Sequence, residues 1–226
     1  MQLHSAFLSG WVHPADVFVQ LYSNEANAFW LDGEFSPDSN FSVIGAGPIS
    51  EGSSPSVSLE TLRFENSSEL PFSWRPGLVG LVTYEGEPQF ILADRAIVFD
   101  HAAQGLYFVG AFEAPEQFEF WHQAALLRLG FSGGQVATYL HDQSDELAPA
   151  FAEVRHSAEE YISMIEQVQN HIALGDVYQV CLTNEITVRG KRDALAVFLT
   201  LRTANPAPYS AFLKLGERTL VSSSPE

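Results

Sequence analysis

The sequence is poor in cysteine and in basic residues, and both shortages limit what this protein can be. Its 226 residues include one cysteine, Cys181, which excludes a disulfide within the chain. An intracellular, cytoplasmic location is therefore the expectation. Eleven Lys and Arg residues stand against 28 Asp and Glu residues, giving a formal net charge of −17. Such a charge repels nucleic acids and anionic membrane surfaces, so neither is expected as a partner.

Long apolar runs and common cofactor motifs are also absent. No stretch approaches the ~20 apolar residues of a membrane helix, and the first 19 residues lack the basic start of a signal peptide. The sequence has no phosphate-binding loop, no dinucleotide glycine fingerprint and no nucleophilic serine elbow. Its seven histidines have no metal-ligand spacing. Nucleotide, serine-hydrolase and zinc chemistry are therefore disfavoured.

What the chain does contain is enough apolar material for a packed core, distributed over two different regions. Hydrophobic residues make up 46% of the sequence and aromatic residues 12%. Residues 1–155 have 5 basic and 20 acidic residues, whereas residues 156–226 have 6 and 8. This asymmetry indicates two regions, and the polar segment 141–155 is the expected linker.

The first region favours short β-strands. Its apolar runs are bounded by Gly, Pro, Asp and Asn, which is the pattern of strands joined by turns. These runs lie at residues 16–22, 28–31, 41–44, 77–84, 96–99 and 106–109. A helix is expected to begin at Pro115 and to end at Gly130.

The second region begins with the clearest helix of the chain. Ser157 and the glutamate three residues later have capping-box spacing. Apolar residues then recur every three or four positions from 161 to 172, and Gly175 can supply a left-handed stop. Residues 177–188 alternate between two faces, which predicts a strand.

A second helix and a hairpin are predicted at the end of the sequence. Asp193 is the expected helix cap, and Pro206 limits the helix. Gly216 and the glutamate after it fit a two-residue hairpin turn. The edge of this hairpin would normally pair with a further strand, and the sequence predicts none for it. We therefore expect residues 156–226 to be less stable than residues 1–140.

One short segment, Gly-Asp-Val-Tyr-Gln at residues 175–179, places polar side chains where a helix gives way to a strand. Taken alone, it is explained by a helix stop, with Asp176 bonded to the turn. Together with other ordered blocks, it resembles the chorismate-utilising enzymes. Those blocks are Glu-Tyr at 160–161, Gln-Val-Gln at 167–169, Ala-Asn-Pro-Ala-Pro-Tyr-Ser-Ala-Phe-Leu at 204–213 and Ser-Ser-Ser-Pro-Glu at 222–226.

Within that family, the sequence of residues 204–213 resembles the corresponding segment of the large subunit, or component I, of aminodeoxychorismate synthases. The resemblance implies an α+β fold like that of anthranilate synthase component I. A β-rich N-terminal domain would occupy residues 1–145, and residues 153–226 would be the start of an incomplete chorismate-binding domain. It also implies amination of chorismate at C4, on the route to p-aminobenzoate and folate.

The resemblance assigns roles to particular residues. Glu226 would be the acid/base at the departing hydroxyl. Gln179 would be a substrate-binding residue of the pocket. It stands where isochorismate- and salicylate-forming relatives have a lysine that activates water, which favours ammonia as the nucleophile. Asn205, Pro206 and Tyr209 resemble one wall of a tryptophan-binding regulatory pocket, whose other wall would include Asp32.

The family further implies a glutamine amidotransferase partner that delivers ammonia and a magnesium ion that binds the substrate. The magnesium ligands are expected beyond Glu226, so no metal ligand is assigned within the 226 residues and the chain alone is expected to be inactive. Two alternatives remain: anthranilate synthase component I, and a non-catalytic amino-acid-binding or interaction module.

Overall fold

The computed structural model of the chain describes residues 1–37, 39–50, 69–144 and 151–225. Contacts divide the chain into two units. The first consists of residues 1–144 together with 193–226, and the second of residues 145–192. Each unit is described below by itself.

The first unit contains nine strands and four helices among its described residues. The strands are β1 (Gln2–Ser9), β2 (Asn27–Asp32), β3 (Phe41–Ala46), β4 (Gly77–Val82), β5 (Pro88–Ala93), β6 (Arg95–Asp100), β7 (Gly105–Phe112), β10 (Tyr209–Leu215) and β11 (Arg218–Ser224). The helices are α1 (Pro14–Tyr22), α2 (Pro115–Leu129), α3 (Gln135–Ser144) and α5 (Ala194–Ala204).

Seven of these strands form one antiparallel sheet in the order β1-β7-β6-β3-β2-β10-β11. Strands β4 and β5 form a separate antiparallel pair. Alternate side chains of β6 enter two different cores, with Ile97 in one and Val98 in the other. This alternation follows from the two-residue period of a strand, and it shows that both faces of the sheet are covered.

The larger core lies between the sheet and the helices. Phe18 from α1, Trp30 from β2 and Phe198 from α5 are fully or almost fully buried there. The rings of Trp30 and Phe198 meet edge to face with centroids 5.2 Å apart, a favoured arrangement for aromatic pairs. This core therefore fixes α5 against the part of the sheet that β2, β10 and β11 form.

The prediction of a strand at residues 16–22 is wrong, because this segment belongs to helix α1. The ring of His13 caps the helix by accepting a hydrogen bond from the Ala15 backbone N–H at 3.2 Å, and Pro14 occupies the first turn. The sequence of this segment is a short apolar run interrupted by Asp16 and Gln20, a pattern that a strand and a buried helix share. Burial of Val17, Phe18 and Leu21 on one helix face decides the outcome.

The predicted strands at 28–31, 41–44, 96–99 and 106–109 are confirmed as parts of β2, β3, β6 and β7. The predicted strand at 77–84 is confirmed as β4, which ends two residues earlier, at Val82. The predicted helix from Pro115 is confirmed as α2, and the helix capped by Asp193 is α5. The predicted hairpin is confirmed as β10 and β11. However, β10 also pairs with β2, so the hairpin belongs to the central sheet.

Residues 193–226 thus join the first unit through β10, whereas the sequence grouped them with residues 153–192. The two-domain division at 145 and 153 stays a prediction. The expected linker 141–155 is occupied at its ends by the last turn of α3 and by strand β8 (Phe151–Val154), and its residues 145–150 lie outside the described residues.

The second unit consists of β8, helix α4 (Ala158–Leu174) and strand β9 (Ile186–Arg189). Helix α4 has the predicted capping box at Ser157, and Gly175 adopts the left-handed conformation with φ 81°. The prediction of one strand over 177–188 is wrong, since only its last residues pair, with β8. Residues 177–185 lack a strand partner in the described part of the chain, and alternation alone does not satisfy backbone groups.

Among the described residues, every helix is too short or too polar to cross a membrane.

Candidate functional site

A cavity of about 310 Å³ opens where β2 ends beside β10. Strand pairing creates it, because Asp32 lies opposite Ser210 and Leu31 lies opposite Ala211. Its lining consists of residues 31–33, Ser36, Ser39, Phe41 and residues 208–211. The lining combines apolar side chains with hydroxyl groups and the carboxylate of Asp32, which suits a small ligand with an apolar body and a few polar atoms.

Gly33 is required for the chain to turn at the edge of this cavity. A Cβ atom on Gly33 would lie 2.1 Å from the backbone oxygen of Phe41, far inside any permitted contact. The Gly33 N–H instead donates to the Ser42 hydroxyl at 3.1 Å. The absence of a side chain therefore lets β2 and β3 close together under the pocket.

Asp32 is the centre of a buried polar network. Its Oδ1 accepts hydrogen bonds from the Ser42 hydroxyl at 2.9 Å and from the Glu34 backbone N–H at 3.3 Å. Its Oδ2 accepts from Arg202 Nε at 2.5 Å. Since both oxygens are occupied, the carboxylate is compensated inside the protein and is not left as a bare charge for a ligand.

Arg202 is the cation that balances this network. The residue is only 8% exposed. Its Nη2 donates a hydrogen bond to the carboxylate of Glu34. Its guanidinium lies 5.0 Å from the ring centroid of Trp30 and 5.9 Å from that of Phe35. Two carboxylates and two aromatic faces thus surround one guanidinium, an arrangement suited to arginine and not to lysine.

His101 extends the network from the end of β6. Its Nε2 lies 2.7 Å from the Ser42 hydroxyl. That hydroxyl has one proton, and since the Asp32 carboxylate can only accept, the proton points to Asp32. His101 therefore bears its hydrogen on Nε2 and donates it to Ser42. Burial lowers the pKa of His101 below 6.5 and outweighs the opposing charges of Glu34 and Asp32.

His13 borders the same network from helix α1. Burial is the main cause that lowers the pKa of His13 below 6.5, and the charge of Arg202 lowers it further, against the carboxylate of Glu34. Because Nδ1 of His13 accepts the N–H of Ala15, that nitrogen is unprotonated. A neutral His13 is therefore part of the structure that caps α1.

The structure places the predicted regulatory-pocket residues in different positions. Asp32 and Tyr209 both line the cavity. Asn205 is the C-cap of α5, where its side chain donates to Ser223 Oγ at 3.0 Å and its carbonyl accepts from the same hydroxyl at 2.7 Å. Asn205 and Pro206 are not among the lining residues. Whether tryptophan binds this cavity stays a prediction.

The predicted substrate-binding residue, Gln179, and the predicted catalytic residue, Glu226, both belong to the predicted chorismate-binding segment. Gln179 belongs to the second unit, in the exposed segment that follows Gly175. Near the start of this segment, His171 Nδ1 lies 2.8 Å from Asp176 Oδ2, which ties the turn to the end of α4. Glu226 lies outside the described residues, and its role stays a prediction.

Sequence reasoning missed the network itself. One signal was present, because Arg202 is the only charged residue of α5, a helix that is otherwise apolar apart from two threonines. A lone charge in such a helix has to find a counter-charge when the helix is buried. No local signal marked Ser42 and His101, which meet only after β3 and β6 pair.

In the part of the chain that the structure describes, no three His, Cys, Asp or Glu residues are grouped closely enough to hold a metal ion. The expected magnesium ion stays a prediction.

Comparisons with known proteins agree with the fold and with the sequence motifs. A family model described as chorismate binding enzyme matches residues 63–226. Curated relatives include an aminodeoxychorismate synthase from Streptomyces pristinaespiralis, 29% identical over 92% of this chain and 36% of that protein. Another, from Streptomyces griseus, is 32% identical over 70% of this chain and 24% of that protein. The chain thus spans about a third or less of these relatives.

The fold is also that of a solved protein. The fold resembles that in the crystal structure of anthranilate synthase component I from Streptococcus pneumoniae TIGR4, with a TM-score of 0.58 and 18% sequence identity. The match covers 98% of this chain and 50% of the pneumococcal chain. The predicted α+β fold of this type is therefore confirmed. At this identity the likeness concerns the fold alone.

Proposed function

The chain belongs to the family of chorismate-binding enzymes, and we propose that it is part of the large subunit of an aminodeoxychorismate synthase. Two Streptomyces relatives of that name, which match 92% and 70% of the chain, support this assignment. The proposed reaction is chorismate plus ammonia to 4-amino-4-deoxychorismate plus water. The C4–O bond breaks, a C–N bond forms, and the hydroxyl leaves with an added proton.

Gln179 is the observation that carries the choice of nucleophile. A carboxamide has no basic nitrogen, so Gln179 cannot take a proton from water to make hydroxide. Ammonia needs no such base, because it is already a nucleophile when neutral. The exposed position of Gln179 after the left-handed Gly175 leaves its amide able to contact a ligand.

Glu226 supplies the acid in this proposal. Hydroxide is a poor leaving group, and a carboxylic acid placed at the C4 oxygen can protonate it as the bond breaks. A glutamine amidotransferase is the proposed source of ammonia, and p-aminobenzoate synthesis for folate is the proposed pathway. Magnesium is the proposed counter-ion of the two carboxylates of chorismate.

The first test uses the purified 226-residue chain with chorismate, ammonium and magnesium salts. We expect no turnover from the chain alone. Turnover is expected when it is co-purified with a polypeptide equivalent to the remaining part of the Streptomyces pristinaespiralis relative. Mass spectrometry identifies the product, since 4-amino-4-deoxychorismate retains the enolpyruvyl side chain.

The same assay separates the competing functions. Anthranilate synthase component I is the alternative that several curated relatives of that name support, and it would release pyruvate and leave anthranilate. Turnover only with the second part of an anthranilate synthase would support that alternative. Formation of a hydroxylated isomer of chorismate, with the oxygen drawn from labelled water, would overturn the proposal that ammonia is the nucleophile.

A further inference from the structure

Helix α2 has one face that packs on the core of the first unit and an opposite face that is apolar and exposed. Its buried residues are Phe118, Ala125 and Leu129. Phe120 and Leu127 lie on the other side, two helical turns apart, and are 79% and 72% exposed. Together with the exposed Ala124 between them, they form what we call the α2 stripe. Contiguous apolar surface of this kind marks an interaction site.

A groove at the start of α2 adjoins the stripe, because Phe120 belongs to both. The groove has a volume of about 470 Å³ and is lined by Arg95, Phe112, Glu116, Gln117, Phe120 and Trp121. Three of these residues supply aromatic rings and one supplies a carboxylate at the helix start. Aromatic faces beside a carboxylate attract a cationic side chain, so the lining suits a lysine or an arginine from another polypeptide.

The chain already uses this chemistry for its own Arg95. Its guanidinium lies 4.6 Å from the ring centroid of Phe112. Arg95 Nε and Nη2 donate to the two carboxylate oxygens of Asp94 at 2.9 Å and 2.7 Å. Because Asp94 neutralises Arg95, the groove does not repel a second cation. Glu116 makes no ion pair within the described part of the chain and is left as a counter-charge for one.

The charges around the α2 stripe are acidic. Glu113, Glu116 and Glu119 are exposed at the start of the helix. The basic residue of α2, Arg128, is held elsewhere, since its Nη2 donates to the backbone carbonyls of residues 20 and 21 at 2.8 Å and 3.1 Å. With a net charge of −17 for the whole chain, a second copy and an anionic membrane are repelled, whereas a basic polypeptide is attracted.

We propose that the α2 stripe and the adjoining groove bind a basic amphipathic helix of a partner protein, one arginine of which enters the groove. The arginine donates to Glu116 and stacks on the rings of Phe120 and Trp121, and the apolar face of the helix covers Leu127. The stripe lies on the opposite side of α2 from the core that the helix covers. The interface is therefore independent of the proposed reaction with chorismate.

Calorimetric titration of the 226-residue chain with a synthetic peptide tests the proposal. The peptide is a helix of about 18 residues, or five turns, with a leucine face, lysines around it and one arginine at the border. We expect one-to-one binding. A peptide with glutamate in place of each lysine and arginine should not bind. Vesicles of phosphatidylglycerol should not bind either, and the free chain should sediment as a monomer.

Leu127→Glu separates docking from general attraction between an acidic chain and a basic peptide. It adds a negative charge, which would strengthen general attraction, but it removes an apolar contact and should weaken docking by about tenfold or more. Val197→Glu is the matched control, because it adds the same charge at a 44% exposed apolar position of α5. It should change the affinity by about twofold or less.

The groove is tested by a second pair of variants. Glu116→Lys should weaken binding by about tenfold or more, because it replaces the counter-charge with a like charge. Glu159→Lys changes the corresponding first turn of α4 and should have about a twofold effect or less. Phe120→Leu keeps an apolar side chain but removes the ring. It should abolish the preference for the arginine peptide over one with lysine at that position.

Four results would overturn the proposal. They are failure of the folded wild-type chain to bind the basic peptide, equal binding of the acidic peptide, equal effects of Leu127→Glu and Val197→Glu, and occupation of the α2 stripe by a second copy of the chain or by the vesicles. Circular dichroism of each variant shows that the helices are intact, so that a loss of binding reports on the surface itself.

Discussion

Arg202 donates from Nε to Oδ2 of Asp32 across 2.5 Å, and this pair joins helix α5 to the end of β2. Asp32 lies in one wall of the cavity, and α5 leads directly into the other wall at residues 208–211. The two walls are therefore tied together by a buried charge pair as well as by the pairing of β2 with β10.

Removing the cation of this pair should be costly. Arg202→Met leaves the carboxylates of Asp32 and Glu34 without their counter-charge, so the free energy of unfolding should fall by about 3–5 kcal/mol. Urea titration followed by tryptophan fluorescence measures this loss, since Trp30 lies beside Arg202.

An exposed ion pair provides the comparison. Arg155 pairs with Glu185 while more than half of each side chain is exposed, so Arg155→Met should cost about 1 kcal/mol or less. If Arg202→Met were no more costly than Arg155→Met, the buried network would not stabilise the pocket.

Gly33 provides a test that depends on shape and not on charge. Gly33→Ala forces a methyl group against the Phe41 carbonyl, and we expect a loss of about 2 kcal/mol or more. Gly133→Ala is the control, because nothing lies within 4 Å of its Cβ position. Thermal unfolding of the two variants should show a lower midpoint for Gly33→Ala alone; equal midpoints would mean that β2 and β3 separate without cost.

The parts of this structure that the sequence predicted were those with a local cause. Ser157 and Gly175 define α4 through hydrogen bonds within a few residues, and the hairpin at Gly216 is set by its own turn. The pairing of β10 with β2 joins residues about 180 positions apart, and no local pattern encodes it. The segment 177–185 alternates like a strand, but a strand also needs a neighbour.

The candidate site was predictable to a similar degree. The motif around Tyr209 and the weaker one around Asp32 indicated two walls, and the register of β2 and β10 brings them together. The network of Ser42, His101 and Arg202 was not predicted, because it depends on three-dimensional packing of three separate elements. The motifs around Asp32 and Tyr209 are local in sequence, whereas the pairing of Arg202 with Asp32 depends on the folded structure.

Stability should depend on pH through two partly buried histidines, His13 and His101. His13 and His101 have pKa values below 6.5 in the folded chain, so the unfolded chain takes up their protons first as pH falls. The free energy of unfolding should be at its full value well above 6.5, decrease as pH falls through 6.5, and stop decreasing below the folded pKa values.

Replacing one histidine should reduce this dependence. His13→Gln removes one of the two protons, so urea titrations between about pH 7.5 and 5 should show a shallower decline than in the wild type. His141→Gln, at an exposed position of α3, serves as the control. A decline in His13→Gln as steep as that of the wild type would contradict a neutral His13 in the folded chain.

Gln179 should determine which nucleophile attacks. In the active pair of polypeptides, Gln179→Lys introduces a base, so the aminated product should fall by about tenfold or more and a water-derived product should appear. Labelled water followed by mass spectrometry distinguishes the two products. Gln123→Lys, an equivalent change on the exposed face of α2, should leave the product ratio unaltered, and an unaltered ratio in Gln179→Lys would remove this residue from the site.

The final prediction concerns which segments unfold locally, as measured by amide hydrogen exchange. The sequence suggested that all of residues 156–226 are less stable, but β10 is paired on both sides within the central sheet. We therefore expect amides of residues 210–215 to exchange as slowly as those of β6 and β7. Amides of α4, β8 and β9, which lack a buried interior, should exchange faster on the order of a hundredfold or more.

Hydrogen exchange with mass spectrometry on the isolated 226-residue chain resolves these segments. Equal protection of α4 and β6 would mean that the second unit is already covered, and would contradict this prediction. Fast exchange throughout residues 193–226 would instead mean that β10 leaves the sheet readily. The ion pair of Arg202 with Asp32 would then not hold the two walls of the cavity together, because α5 and β10 would open as one segment.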